Sequence, residues 1–293
     1  MDYIIRKPVF LAILLVLVAG IGRSFGQAHT MDGHTVDNMM DQSFRDMYNL
    51  RFDEALKKAE AAKAISKDDP LPWVAQSCAV LFREFDRLQI LRSEMFATDE
   101  GFAARATHTW DAAAKKQFDD ATNGAEKIAQ ERLRNNKNDV QALFALTIIN
   151  GLRGDDDALI TKKNLSALGY TKVATAYAER LLAVAPNEYD AYVATGVGKY
   201  IIGGKAAPVR WLLRLGGLKG DQAQGIKELQ MAADHGHYLA PFARIMLAFD
   251  DLRHKDRTEA RKQLTWLHQQ FPNNPLFPLE MTKLDINSTA NGQ

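Results

Sequence analysis

Residues 258–275, TEARKQLTWLHQQFPNNP, decide the fold when set against residues 172–189, KVATAYAERLLAVAPNEY. Ala260, Leu264, Leu267 and Pro272 stand at i, i+4, i+7 and i+12, and Ala174, Ala178, Leu181 and Pro186 repeat that spacing. The first three positions share one face of an α-helix, and the proline stands where the helix cannot continue. Ala55, Ala59, Ala62 and Lys67 fit without the proline. Ala125, Ala129, Arg132 and Lys137 fit more loosely, and Gly225, Leu229, Ala232 and His237 keep the small-residue part.

The turns that follow these helices also align. They read Lys67-Asp68-Asp69-Pro70, Lys137-Asn138-Asp139-Val140, Pro186-Asn187-Glu188-Tyr189 and Pro272-Asn273-Asn274-Pro275. Asp and Asn suit helix caps. The next helix then has a large residue early (Trp73, Leu143, Tyr192) and a small one four places on (Ser77, Thr147, Gly196). Ser43 and Thr282 hold the small position in the first and last units. Small residues on both helices of a pair let two backbones approach closely.

These features resemble the tetratricopeptide repeat family over about residues 38–284, most clearly at 169–203 and 238–275. The resemblance implies an all-α, right-handed solenoid in which an A helix and a B helix pack antiparallel and successive pairs stack. The expected count is five pairs and a terminal helix. Ala55, Ala125, Ala174, Gly225, Ala260, Gly196, Pro186 and Pro272 are the expected repeat-packing positions. The implied function is a non-catalytic scaffold for a protein or peptide, because concave helical surfaces suit extended ligands.

The array is uneven. The small anchors at 55, 125, 174, 225 and 260 are separated by 70, 49, 51 and 35 residues, whereas a plain repeat of this kind takes about 34. The extra residues fall in the A-to-B connections, roughly 87–109, 154–170 and 204–220. In a solenoid these gather on one edge, which is often the binding side. In the third, Pro208 starts a short helix and Gly216-Gly217 ends it. Arg210 and Arg214 lie one turn apart beside Trp211, Leu212 and Leu215, with Lys205 and Lys219 flanking. The expected partner-binding residues are therefore Lys205, Arg210, Trp211, Arg214 and Lys219. The bland expectation is that the apolar face of this helix docks inside the superhelix; the alternative is contact with a membrane surface or a small apolar ligand.

The N-terminus reads as an export signal. Arg6 and Lys7 precede the apolar run Val9–Ala19, and small residues allow cleavage after Gly26 or Ala28. The expected organisation is a signal at 1–26, a polar linker at 27–37, the repeat domain at 38–284 and a disordered tail at 285–293. The expected location is periplasmic or secreted, the alternative being an inner-membrane anchor at 9–22. Removing Asp2, Arg6, Lys7 and Arg23 takes the formal charge from +1 to −1, so no broad field favours nucleic acid.

Candidate chemistry is sparse. Cys78, the only cysteine, lies in an apolar run and reads as buried. His235-Gly236-His237 has a spacing that seldom aims two rings at one metal. Cleavage after Gly26 would expose Gln27-Ala28-His29, a planar four-nitrogen set suited to Cu(II). Asp155-Asp156-Asp157 reads as a solvated loop capping the following helix. No phosphate loop, nucleophile elbow or zinc-protease helix appears. No cofactor is expected, and the oligomeric state is open.

Overall fold

The computed structural model describes residues 31–92, 96, 99–205, 207–215, 217 and 219–290. The expected signal segment and Gln27-Ala28-His29 lie outside the described residues. Among them the chain is all-helical. The helices are α1 (Met31–Tyr48), α2 (Phe52–Ile65), α3 (Leu71–Arg87), α4 (Asp99–Ala104), α5 (Ala112–Asn135), α6 (Val140–Asp155) and α7 (Asn164–Val184). There follow α8 (Ala191–Gly203), α9 (Ala207–Leu215), α10 (Gln222–His235), α11 (Ala240–Arg253), α12 (Arg257–Gln270) and α13 (Leu276–Ala290). A short π-helical turn, Asp156–Ile160, extends α6. No described helix is long and apolar enough to cross a membrane.

Two boundaries differ from expectation. Helix starts at Met31, inside the stretch read as linker, and α13 runs to Ala290, into the stretch read as tail. Both ends are polar, but Val36 and Met40 on α1 and Phe277 and Leu284 on α13 are buried. That burial extends helix into sequence whose composition alone reads as coil.

Each long helix packs on its successor, skipping the short α4 and α9: α1 on α2, α2 on α3, α3 on α5, and so on to α12 on α13. In addition α1 packs on α3, α3 on α6 and α6 on α8. The small anchors are what make the close pairs possible. Ala55, Ala125, Ala174 and Ala260 are buried. A Cβ on Gly225 would stand 2.7 Å from the Gly196 carbonyl oxygen and the Tyr200 nitrogen, so α8 and α10 touch backbone to backbone. Buried Ser43 donates to the Ala55 carbonyl at 2.9 Å, joining the two small positions of the first pair. Ser77, Thr147 and Thr282 donate to the carbonyl four residues back. Pro186 and Pro272 are solvent-exposed. They act by stopping α7 and α12, a correction to their expected packing role.

The caps fall where the turn residues suggest. Asp69 accepts from the Leu71 N–H, Asp139 from Ala142 and Asn274 from Leu276. A second recurrence lies at the opposite ends. α1, α3 and α11 finish on Leu50, Gln89 and Lys255, each with φ near +60°. The next residue donates back to the carbonyl five positions earlier: Arg51 to Asp46, Ile90 to Phe85 and Asp256 to Asp251. This is the Schellman closure, built three times without glycine.

The first helices also meet the last. Tyr48 Oη donates to the Tyr238 carbonyl at 3.0 Å, and Asn274 Nδ2 donates to the Tyr48 carbonyl at 2.9 Å. Phe44 packs on Tyr238, Tyr48 on Phe271 and Phe82 edge-on against Phe242. One apolar cluster consequently runs from Val36 to Leu284. The space between the early and late helices is filled with aromatic rings.

Candidate functional site

Of the three long connections, the first and second are bonded together. Buried Arg105, from the first, donates to the Ala158 carbonyl at 2.9 Å and to Asn164 Oδ1 at 2.7 Å. The His108 N–H donates to the Ile160 carbonyl, and Trp110 Nε1 donates to Asp156 Oδ1 at 2.7 Å. Asp156 and Asp157 are buried. The solvated-loop reading of the Asp155–Asp157 run is thus corrected, because the first connection folds over it and Trp110 needs its acceptor. Half-buried Asp155 is pushed up to about 7 by burial. The first connection also reaches the end of α11, where Phe96 stacks on Phe249 and its carbonyl accepts from Arg253 Nη1.

The third connection is pinched at its base. A Cβ on Gly203 would stand 2.4 Å from the Gln222 nitrogen, and one on Gly220 would stand 2.4 Å from the Gly203 nitrogen. Two glycines let the strands of this stem touch, and the Asp221 N–H donates to the Lys199 carbonyl at 3.2 Å. From that clasp α9 projects. Trp211 is 64% exposed and Leu215 67%. Trp211 and Leu215, two of the apolar residues expected to dock inside, thus stand exposed. Lys205, Arg214 and Lys219 are exposed, while Arg210 falls within α9.

Other candidates are engaged in structure. Cys78 is buried and its thiol is pushed up to about 12, chiefly by burial. His235 packs on Tyr189, whereas His237 stacks on Tyr238 and meets Asp41 at 2.9 Å. Their rings serve different neighbours. Buried Asp190 accepts from the N–H groups of His237, Tyr238 and Leu239, at 2.8, 2.8 and 3.1 Å. It thereby builds the turn in which the Asp/Asn pattern of the other turns fails. His254 lies 3.2 Å from Asp250 at the exposed end of α11.

One feature went unanticipated by residue. α13, the last of the described helices, packs on α12. Between them lies an open groove of about 570 Å3, lined by Arg257, Arg261, Lys262, Trp266, Leu284 and Asp285. Arg261 pairs with Asp285 across it, and Arg244 lies over the Trp266 ring at 4.3 Å. A second concavity, between α1 and α2, is lined by Thr35, Asn38, Met39, Gln42 and Lys58. Neither lies beside Trp211. The groove has no local sequence signal, because its lining is shared between α12 and α13. No protein-family model, curated protein or solved structure matches this chain.

Proposed function

We propose that the chain is a non-catalytic, protein-binding scaffold of the cell envelope, a solenoid of tetratricopeptide-type pairs that receives a partner helix in the α12–α13 groove. One observation supports the reading above the others. The groove offers Trp266 and Leu284 beside Arg257, Arg261 and Lys262, with Arg261 paired to Asp285 and Lys262 to Glu259. An amphipathic helix with acidic flanks complements that lining. The filled space between early and late helices argues against a peptide laid along the concave side. Asp156 is held by Trp110 and Asp190 by the turn it builds, so these two buried carboxylates are read as structural. Envelope location rests on the sequence of residues 1–26.

The test is affinity capture from envelope extract with wild type and R257E/K262E. A partner retained by wild type and lost by about tenfold or more from the double variant is expected. Equal retention by both proteins would remove the groove from the proposal.

A further inference from the structure

We infer that α9 is an interfacial helix that docks the protein on an anionic lipid surface, with the start of α7 as a second point of contact. This inference is independent of the α12–α13 groove. Trp211 and Leu215 are exposed on a short helix that also presents Arg214, a combination suited to the boundary between acyl chains and headgroups. The stem holding this helix is a glycine clasp, so the projection is built into the backbone and is not a loop that has drifted outward.

The neighbouring surface continues the same chemistry. Gly217, with φ +84°, lies against Lys172 of α7, whose Nζ would be 3.4 Å from a Cβ at that glycine. Leu165, 87% exposed, is seven residues before Lys172 and so on the same stripe of α7; exposed Val173 is beside it. Gly169, between them, has open space around its Cα. The turn after α9 therefore meets α7 at Lys172.

Charge selects the occupant. From Ala191 to Gly220 the sequence has Lys199, Lys205, Arg210, Arg214 and Lys219 and no acid; from Ala158 to Ala178 it has Lys162, Lys163 and Lys172 and again no acid. Lys199 is paired with Glu228 at 2.5 Å, while exposed Lys205, Arg214 and Lys219 flank Trp211 and Leu215 in sequence. Each cation near an anionic leaflet adds attraction of about 1 kcal/mol, and a few exposed apolar side chains add insertion. Cations set around Trp and Leu complement anionic headgroups above acyl chains.

The experiment is vesicle co-sedimentation of the full chain, with phosphatidylcholine vesicles compared with vesicles containing about one-third phosphatidylglycerol. Wild type is expected to bind the anionic vesicles about tenfold better, and added salt to reduce the difference. W211D/L215D should lose about tenfold of that binding while its melting temperature is unchanged, both residues being exposed. R257E/K262E should bind vesicles as wild type does. The apolar run at 9–19 is common to all these proteins, so only differences between them report on α9. Vesicles with brominated acyl chains should quench wild-type fluorescence more than that of W211F. Equal binding to both vesicle types, or undiminished binding of W211D/L215D, would overturn the inference. So would a Trp211-dependent dimer, or a protein partner that covers Trp211 and excludes vesicles.

Discussion

At the scale of single residues, the close approach of α8 and α10 makes a sharp contrast between two glycines. Gly225→Ala drives a methyl group to 2.7 Å from backbone atoms of Gly196 and Tyr200; backbone cannot move as a side-chain end can. A loss of about 2–3 kcal/mol is expected. Gly169→Ala, in the middle of α7 with open space around it, should instead gain about 0.5–1 kcal/mol from helix propensity. Urea unfolding of both variants checks the pair. Asp155 gives a pH prediction. Its folded pKa is raised from 3.8 to about 7 by burial, so the fold prefers the neutral acid. The unfolded chain ionises first as pH rises, and the contribution of this group to stability is lost across that window. Asp155→Asn should therefore melt about 3 °C higher than wild type at pH 8, with the gain shrinking toward pH 4. Thermal melts across that range decide it. The glycine anchors were legible because nothing but close backbone packing explains a small residue recurring on a helix face. Asp155–Asp157 was not legible: Trp110, the partner of Asp156, comes from a connection that local pattern does not place.

At the scale of elements, the helix spacing and the Asp and Asn caps could be read directly. The Schellman closures at Leu50, Gln89 and Lys255 could not, because leucine, glutamine and lysine give no left-handed signal. Packing of the following turn imposes that conformation on them. Direction was the other failure. α9 has the amphipathic pattern of a docked helix, yet the pattern does not say whether a cavity awaits it, and the interior is filled from α1, α3 and α11. The glycine clasp makes α9 separable from the rest. Deleting residues 205–219 joins Gly204 to Gly220 at a stem that is already closed. The shortened chain should fold with unchanged helical circular dichroism per residue and a melting temperature within about 3 °C of wild type. A collapse of the cooperative transition would show instead that the connection is part of the core.

At the scale of the whole molecule, the contacts between α1 and the α11–α12 region are the feature that repeat pattern predicts least. A spacing repeated along the chain says which neighbours pack. It does not say whether the first pair meets the fifth. Tyr48 and Asn274 make that meeting specific, since Asn274 serves both the Tyr48 carbonyl and the cap of α13. Asn274→Ala should cost about 2 kcal/mol, for a buried carbonyl left without its donor and a lost cap. Amide exchange should accelerate in α1 as well as in the 271–275 turn. Acceleration confined to the turn would mean that the two ends of the array are not energetically joined. With this closure the space between the early and late helices holds aromatic rings, and the open α12–α13 groove is the place proposed for a protein partner. The measurement that tests this most directly is site-specific photo-crosslinking in the intact envelope, with the reactive group at Thr265 in the groove and, as control, at exposed Glu54 on α2. The account predicts that Thr265 gives a discrete adduct, mapping by mass spectrometry to an acidic helical segment of another protein and lost in R257E/K262E. A Thr265 position that crosslinks nothing, or no differently from Glu54, would contradict it.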